Sequence, residues 1–396
     1  MEAKNAPLIR FHGYFEDWQT KKLKHLCNTF IDGDWIESKD QSKSGIRLIQ
    51  TGNIGIAKFL DKPNNAKWIS NETFESLHCN EIFHNDILIS RLPEPAGRAC
   101  LLPNLPYRCI TAVDCSIVRC NEKNDSSFIV QFLSSPKYFK EVTLLLAGGT
   151  RQRISRKNLE EITIKTPLLS EQTRIASLFT ALDKQISTSE AKLDKLRTIK
   201  KTLLKKMFAA FGENIPQIRF KGFEGEWEEK KLGEFCSVER GIRVTRKDLN
   251  DQGEFPVYQN TDYPMGYFSK YNVDANNPFV IIGGSAGLIG FSKTKFWAAD
   301  DCAYFRDSRV IEKNFLFYLL LKNILYIKKN IRGSSVPRLD RKVLIDMKVT
   351  IPTKEITEQI QIANLLSTLD KQICNQEQKI EKLKAIKKTL LKKMFV

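Results

Sequence analysis

The most regular hydrophobic pattern in the chain occurs twice, once near the middle and once at the end of the sequence. Apolar residues recur at spacings of three and four through 168–208 and 353–396, and neither range contains glycine or proline. This spacing is typical of a coiled-coil seam, so it predicts two long helices. The seam positions are Ile175, Leu178, Leu182, Ile186, Leu193, Leu196, Leu203 and Met207 in the first copy, and Ile362, Leu365, Leu369, Ile373, Ile380, Leu383, Leu390 and Met394 in the second.

The two helical ranges are near copies of each other. LDKQI occupies both 182–186 and 369–373, and KKTLLKKMF occupies both 200–208 and 387–395. About 39 residues at 1.5 Å per residue span roughly 58 Å, which is longer than one small domain requires. An amphipathic helix lying on its own domain is the simpler interpretation of either copy. The shared apolar stripe favours packing of the two copies on each other.

The repeat extends into the rest of the chain. Pro7-Leu-Ile-Arg-Phe and Trp18 return as Pro216-Gln-Ile-Arg-Phe and Trp227, at an offset of 209 residues. A two-fold repeat of this length indicates a tandem duplication rather than a solenoid. The predicted segments are a first globular domain in 1–167, a central helix in 168–210, a second globular domain in 211–352 and a C-terminal helix in 353–396.

Each globular part is predicted to combine short strands with helices. Alternating or apolar runs bounded by glycine and proline predict strands. These runs are 46–56, 86–90, 111–118, 255–260, 279–284 and 296–305. Helices are predicted from Ser126 or Ser127 to Phe139, and from Asn314 towards Lys329.

The connections predict how these parts are arranged. Only seven residues, 209–215, lie between the first helix and the second repeat unit, so the second globular part must lie at the far end of that helix. The second helix can then pack on the first only by running back antiparallel. The predicted fold class is α+β, with two mixed α/β globular domains separated by two long antiparallel helices that form a coiled-coil spacer with pseudo-two-fold symmetry.

Composition excludes several classes of protein. The nine cysteines are odd in number and none falls in a CxxC pair, so neither a disulfide framework nor a four-thiolate zinc site is indicated. Free thiols are typical of the reducing cytoplasm, where we expect the protein to act. The N-terminus does not have the pattern of a signal peptide, and the longest apolar run, 315–321, is too short to cross a membrane. We therefore expect no metal site and no membrane partner.

The net charge of +17 is concentrated at the ends of the two helices. Residues 192–206 hold seven basic side chains and one acidic side chain, and residues 379–393 hold the same numbers. Each helix end therefore carries +6, and together they account for 12 of the 17 positive charges. Such an excess is a common feature of nucleic-acid binding, although an acidic protein partner would also fit it.

No constellation of residues predicts an enzyme active site. The glycine-rich stretch 283–290 lacks the Lys-Ser/Thr of a phosphate-binding loop. Asn277-Pro278-Phe279 resembles the NPPF motif of amino-methyltransferases, but the second proline is missing and we expect a loop there. Neither a Ser/His/Asp order, nor HExxH, nor a paired carboxylate cluster is evident. We therefore predict that the chain has no catalytic residues and binds no cofactor itself.

Polar and basic residues follow the predicted strands in both globular parts. Arginine pairs well with guanine, and asparagine or glutamine with adenine, in the major groove of DNA. The candidate DNA-binding residues are Arg47, Gln50, Asn53, Arg91, Arg98, Arg151, Gln152 and Arg153 in the first part, and Gln259, Asn260, Lys293 and Arg338 in the second. Each of them taken singly is more often a surface or structural residue. Two matched sets suit the recognition of two half-sites.

The order of motifs resembles that of the specificity subunit of type I restriction–modification systems. The resemblance covers nearly the whole chain. It is carried by the repeated FxGxxxxW-like start, the loops 148–159 and 333–344, and the helix motifs EQTRIASLFTALDKQI at 171–186 and EQIQIANLLSTLDKQI at 358–373.

The resemblance implies a function and a set of partners. The divergent regions would be target recognition domains, each reading half of a split sequence in double-stranded DNA. The helices would be the spacer that sets the distance between the halves. The subunit would lack catalytic residues and would recruit two modification subunits, which bind S-adenosylmethionine and methylate adenine. In the full complex, two restriction subunits would also join.

Two functions from other classes stay open at this point. The first is a stand-alone tandem DNA-binding protein, such as a repressor, that needs no methyltransferase. The second is an enzyme whose site the sequence does not reveal. A stable complex with a methyltransferase would exclude the first, and activity of the purified chain alone would favour the second.

Overall fold

The chain forms two compact units that share two long helices. The computed structural model describes residues 6–149, 152–250, 253–306, 308, 310–354 and 356–395. The first unit comprises Met1–Glu190 with Lys379–Val396, and the second comprises Ala191–Gln378. Each unit thus contains one globular head, the first part of the long helix that follows it, and the last part of the other long helix.

The first head is built on a four-stranded antiparallel sheet and a five-stranded mixed sheet. Its strands are β1 Gln19–Lys22, β2 Cys27–Asp32, β3 Gln41–Ser42, β4 Ile46–Ile49, β5 Lys67–Ile69, β6 Glu81–Ile82, β7 Ile87–Ser90, β8 Ala99–Leu101, β9 Cys109–Thr111, β10 Cys115–Cys120 and β11 Thr163–Thr166. The strand orders are β2-β10-β7-β8 and β3-β5-β4-β9-β6, and β1 pairs with β11. Strands β4 and β9 are parallel.

The second head repeats this topology with fewer strands. Its strands are β12 Glu228–Lys231, β13 Val238–Arg240, β14 Phe255–Tyr258, β15 Tyr267–Phe268, β16 Asn277–Ile281, β17 Ile289–Ser292, β18 Trp297–Ala298, β19 Cys302–Phe305 and β20 Lys348–Ile351. The order β13-β19-β16-β17 repeats β2-β10-β7-β8, and the pair β12-β20 repeats β1-β11. The parallel pair β14-β18 takes the place of β4-β9.

The helices complete the two heads and include both predicted long helices. They are α1 Asn71–Ser76, α2 Ser126–Phe132, α3 Pro136–Leu144, α4 Arg156–Glu161, α5 Leu169–Lys206, α6 Leu232–Phe235, α7 Lys313–Lys322, α8 Ile324–Lys329, α9 Arg341–Ile345 and α10 Ile356–Met394. The predicted α+β fold with two repeated heads and two long helices, α5 and α10, is confirmed. Among the described residues, none of the helices combines the length and the apolar character needed to cross a bilayer.

Several sequence predictions are wrong in detail. The runs 111–118 and 296–305, expected as single strands, each contribute to two strands in different sheets. The helix expected to end at Phe139 is broken at 133–135, before Pro136 starts α3. Asn277-Pro278-Phe279, expected as a loop, forms the start of β16 and is buried. An apolar pattern does not reveal where one element ends and the next begins, because the residues on both sides of the break are buried.

Within each unit the two long helices pack antiparallel through the same ion pairs. In the first unit Lys387 Nζ lies 2.6 Å from Asp183 Oδ1, and Lys384 Nζ lies 2.8 Å from Glu190 Oε1. In the second unit the equivalent pairs are Lys200–Asp370 and Arg197–Glu377. All seam residues are buried or half-buried. Near the start of each long helix they belong to the core of the helix's own head, and near its end, at Leu203 and Leu390, they belong to the core of the other head.

The end of each long helix completes the core of a head. Phe395 and Trp18 both contact the buried ring of Phe128 in the first unit, with ring centroids 5.3 and 6.0 Å away. Phe208 and Trp227 contact the ring of Phe315 in the same way in the second unit, at 5.0 and 6.2 Å. The repeated tryptophan and the repeated helix terminus therefore meet in one aromatic cluster.

The Glu-Gln pair that opens each helix motif fixes the helix to its head. Glu171 accepts two hydrogen bonds from the guanidinium of Arg10, at 2.8 Å each, and its side chain is almost fully buried. Gln172 donates to the carbonyl of Pro167 and accepts from the Asp125 N–H, so it joins α5 to the start of α2. The second unit repeats these contacts with Glu358, Gln359 and Arg219. The shared motif is thus an architectural element.

Candidate nucleic-acid interface

Loops from several strands converge at one end of the second head. The Ile282 N–H donates to the Asp301 carbonyl at 2.7 Å, and the Leu339 N–H donates to the Ile282 carbonyl at 2.9 Å. The Ser285 N–H donates to the Asn260 carbonyl at 3.2 Å. These bonds join the loops that follow β14 and β16 to the turn before β19 and to the loop before α9. They form a single polar surface.

The first head makes equivalent bonds. The Arg91 N–H donates to the Asp114 carbonyl at 2.9 Å, and the Ile154 N–H donates to the Arg91 carbonyl at 3.1 Å. Arg153 pairs with Ala147 as an isolated bridge, and Arg338 pairs with Arg332 in the same way in the second head. Arg153 and Arg338 therefore occupy corresponding positions. Both are exposed, as is Gln152 beside the first, whereas Arg151 lies outside the described residues.

A basic cleft of about 500 Å³ lies on the polar surface of the second head. It is lined by Arg240, Ile282, Asp301, Arg332, Arg338, Leu339, Asp340 and Arg341. Arg338 Nη1 lies 3.6 Å from Asp301 Oδ1, and the Arg338 side chain is 63% exposed. The cleft is lined by four arginines and two aspartates, so its net positive charge attracts anions.

The corresponding region of the first head is closer to neutral. Asp32 stands where the second head has Arg240, and its carboxylate lies 3.4 Å from Arg91 Nε and 3.3 Å from Arg156 Nε. Arg91 also donates to the Val113 carbonyl at 2.6 Å. Arg91 therefore lies on the predicted surface but is held by groups of its own head.

Three further predicted residues of the first head lie in its interior. Arg98 is 8% exposed, and its guanidinium donates to the carbonyls of Thr51, Ile54, Leu92 and Pro95. Burial lowers the pKa of Arg98. Arg47 is 2% exposed and packs on the ring of Trp68, and Asn53 bonds the Gln50 N–H and the Leu60 carbonyl. These three side chains fix the shape of the loops, while Gln50 is exposed.

A second cleft of the second head brings together two predicted amides and two arginines. It has a volume of about 600 Å³ and is lined by Arg243, Val244, Thr245, Arg246, Leu249, Gln259, Asn260, Met265 and Gly266. Gln259 Nε2 donates to Asp300 Oδ1 at 3.3 Å, and Asn260 is exposed. Lys293 is not part of this group. It follows Ser292, which pairs with Asn277 at the opposite end of β16.

Sequence reasoning missed most of the arginines in these clefts. Arg240 is the last residue of β13, and Arg243 and Arg246 follow it, in a segment that we did not assign to the interface. The sequence does contain one pattern that could have identified this segment. GDWIESKD at 33–40 and GIRVTRKD at 241–248 share Gly-x-x-Ile/Val-x-x-Lys-Asp, at an offset of 208 residues. The described residues contain no group of three or more His, Cys, Asp or Glu side chains suited to a metal ion.

Comparison with known proteins identifies a family. The family model described as the type I restriction modification DNA specificity domain matches residues 15–198 and 224–385. The type I restriction enzyme MjaVIII specificity subunit of Methanocaldococcus jannaschii is 26% identical over 194 residues, which is 46% of this chain and 45% of the relative. The MjaIX specificity subunit of the same organism is 24% identical over 285 residues, 65% of each chain. The chain thus spans less than two thirds of the length of either relative.

A solved structure has the same fold along nearly the entire chain. The crystal structure of the type I restriction–modification system S subunit from M. genitalium superimposes with a TM-score of 0.71 at 18% identity. The match covers 99% of this chain and 99% of that chain. At this level of identity the match establishes the fold.

Proposed function

The chain belongs to the type I restriction modification DNA specificity family, and on that premise we propose that it is a non-catalytic specificity subunit. Each head would read one half of a bipartite site in double-stranded DNA. The observation that carries the proposal is the duplicated polar surface, formed by equivalent loops in two heads that differ in side chains. Two heads with the same loops and different side chains suit two different half-sites.

The charge of the candidate surfaces supports DNA as the ligand. The cleft around Arg338 has four arginines, and the cleft beside it has two more arginines with Gln259 and Asn260. Cationic side chains neutralise phosphates, and guanidinium and amide groups read base edges. In this proposal Arg47, Asn53 and Arg98 act indirectly, because they shape the loops that carry exposed residues.

The long helices are proposed to set the separation between half-sites. At each helix end two of the seven basic side chains are paired with acids of the other helix, and most of the others are exposed. These lysines can contact DNA phosphates or an acidic partner.

Modification subunits are proposed to dock where each long helix begins. Leu8 and Phe15 are exposed on the segment that Arg10 ties to α5. Ile9 and Ile218 are exposed at equivalent places in the two units, each directly before the arginine that ties its segment to a long helix. Apolar residues repeated at equivalent places suit two copies of one partner. The partners would bind S-adenosylmethionine and methylate adenine, two restriction subunits would join the full complex, and the assembly would work on DNA in the cytoplasm.

Co-expression with a type I modification methyltransferase of the same organism tests the proposal. Sequencing of modified bases in the host DNA should reveal one bipartite motif that depends on this chain. A stable complex of the two proteins would also exclude the stand-alone repressor. Absence of any chain-dependent modification, together with sequence-specific DNA binding by the chain alone, would favour the repressor instead.

Lengthening both helices should lengthen the gap in the motif. One heptad inserted after Glu190 in α5 and one after Gln378 in α10 fall between the two compact units, so the contacts within each unit are kept. A heptad adds about 10 Å, which corresponds to at most about 3 base pairs of DNA. The half-site sequences should not change. An unchanged gap in the modified motif would contradict the spacer role, and insertion into α5 alone, which misaligns the helices, should abolish modification.

Replacement of Arg338 by alanine should weaken recognition of one half-site only. The side chain is largely exposed, and its one ion pair with a described residue is to Asp301, so its removal should leave the fold intact. We expect about a tenfold loss of affinity for duplexes that carry the intact site. Arg153→Ala is the matched variant in the first head and should act on the other half. Equal losses at both halves for either variant would indicate a role in assembly.

A further inference from the structure

The residues that follow β2 in the first head and β13 in the second head form the same turn. In the first head Asp40 accepts a hydrogen bond from the Glu37 N–H at 2.9 Å. In the second head Asp248 accepts one from the Thr245 N–H at 2.9 Å and another from the Thr245 hydroxyl at 2.6 Å. These bonds hold the pKa of Asp248 below its usual range. Residues 33–40 and 241–248 are called the capped turns below.

Both capped turns are fixed to the sheet by the same backbone contacts. The Gly33 N–H donates to the Cys115 carbonyl at 2.8 Å, and the Gly241 N–H donates to the Cys302 carbonyl at 2.8 Å. A Cβ atom at Gly33 would lie 2.4 Å from the Thr111 carbonyl oxygen, and one at Gly241 would lie 2.1 Å from that of Ala299. Glycine is required in both places because a side chain would collide with backbone.

One apolar residue in each capped turn adds a hydrophobic anchor. Ile36 packs against the buried cluster of Ile46, Leu48, Ile69, Cys79 and Ile110. Val244 is itself buried with Val257 and Ala299. The capped turns are therefore rigid supports, and the side chains between their anchors start from a fixed backbone.

The exposed side chains of the two capped turns differ between the heads. Trp35 and Ser38 of the first turn correspond to Arg243 and Arg246 of the second, whereas Lys39 and Lys247 are the same residue. Trp35 is 70% exposed. Among the described residues, neither the Arg243 nor the Arg246 side chain has a hydrogen-bond or ion-pair partner, and both line the cleft with Gln259 and Asn260. Lys247 does not line that cleft.

We propose that the capped turn is the element of each head that determines which bases are read. In the second head Arg243 and Arg246 contact guanine, the base whose two major-groove acceptors match a guanidinium. In the first head Trp35 and Ser38 make a different set of contacts and so select a different sequence. Lys39 and Lys247 contact phosphate, which carries no sequence information and suits a side chain common to both heads. This inference rests on the proposed function, since it assigns bases to a surface proposed to bind DNA.

The test gives the capped turn of the second head the side chains that the first head has at the same positions. The chain is co-expressed with a type I modification methyltransferase, and modified bases are sequenced for the wild type, R243W/R246S, Arg246→Ala, Lys247→Ala and Trp35→Ala. R243W/R246S should change one half of the motif and leave the other half intact. Arg246→Ala should make a G·C position in that half degenerate, with roughly a 10- to 100-fold loss of discrimination between bases. Lys247→Ala should lower the extent of modification without changing the motif.

The possible outcomes separate this inference from the proposed function. Trp35→Ala in the first head must alter the opposite half of the motif from Arg246→Ala. If a bipartite motif is found and Arg246→Ala leaves both halves unchanged, the inference fails and the proposed function stands. If Lys247→Ala relaxes the motif as much as Arg246→Ala does, the division between base and phosphate contacts is wrong. If the wild type yields no chain-dependent motif, both proposals fail. Arg246 is exposed, so a folding defect is not expected, and hydrogen exchange of the second head checks this.

Discussion

Replacement of Phe395 by alanine is expected to destabilise the first unit by about 3–5 kcal/mol, the cost of removing a buried phenylalanine from a core. The side chain is 5% exposed and contacts the rings of Phe128, Phe132 and Phe179. Deleting residues 391–396 removes buried Leu391 and Met394 as well. Such a loss approaches the total stability of a domain, about 5–15 kcal/mol, so this truncation should unfold the first head.

Hydrogen exchange measured by mass spectrometry can localise this effect. Amides of α2 and α3 should lose protection in Phe395→Ala, while amides of α7 in the second unit keep theirs. Phe208→Ala should give the reverse pattern, because Phe208 packs on Phe315. Lys392→Ala is the control, since Lys392 is exposed in the same last turn of α10. Uniform loss of protection in both units would show that the heads do not depend separately on the helix termini.

Removal of Arg219 is the second change expected to have a large effect. Its guanidinium makes two hydrogen bonds to Glu358, at 2.7 and 2.9 Å, and only 1% of the Glu358 side chain is exposed. Arg219→Ala leaves a buried carboxylate without its cation, and breaking a buried pair in this way costs about 3–5 kcal/mol. Chemical denaturation should show the loss in the second unit, where Trp227 also donates to Glu358.

A double-mutant cycle of Arg219→Ala, Glu358→Gln and R219A/E358Q distinguishes the ion pair from simple packing. R219A/E358Q should be more stable than Arg219→Ala alone, because a neutral amide is less costly to bury than a carboxylate. Arg10→Ala is the matched variant and should destabilise the first unit alone. Arg219→Lys keeps the charge but cannot make both bonds to Glu358, so it should lie between wild type and alanine. If R219A/E358Q is no more stable than Arg219→Ala, the ionic part of the contact is negligible.

The long helices could be predicted from sequence because every local signal agrees. The apolar stripe of period 3.5 to 3.6, the absence of glycine and proline, and a second copy all point to the same structure. The antiparallel arrangement within each unit followed from a connection of only a few residues. The ion pairs Asp183–Lys387 and Lys200–Asp370 occupy equivalent places, so one pattern accounts for both units.

The interface could not be predicted residue by residue, because the sequence does not show which polar side chains are satisfied inside the protein. Arg98 and Arg246 are both arginines in loops. Arg98 binds four carbonyl oxygens in the interior, and Arg246 lines an exposed cleft. Only the fold distinguishes the two. Lys293 follows β17, a strand that was not predicted, whereas the end of β7 before Arg91 was predicted correctly at Ser90.

The capped turns could not be predicted from the sequence for a different reason. Their shared residues are few and widely spaced, and their offset of 208 residues differs from that of the flanking repeat, 209. Glycine, a buried aliphatic residue and a capping aspartate each look ordinary alone. That these residues have the same structural role in both heads is evident only from the equivalent backbone hydrogen bonds of Gly33 and Gly241.

The Glu-Gln contacts described above have a consequence for how such a protein evolves. The residues that fasten a head to its helix are the same in both units, so a foreign head with the same Ile-Arg-Phe start meets a fitting attachment at either position. The near-identical helix sequences also give homologous recombination two places at which to join unrelated genes in frame. Under the proposed function, new sequence preferences can therefore be acquired by exchange of an intact head in a single event, without a series of point mutations that would each weaken binding before improving it.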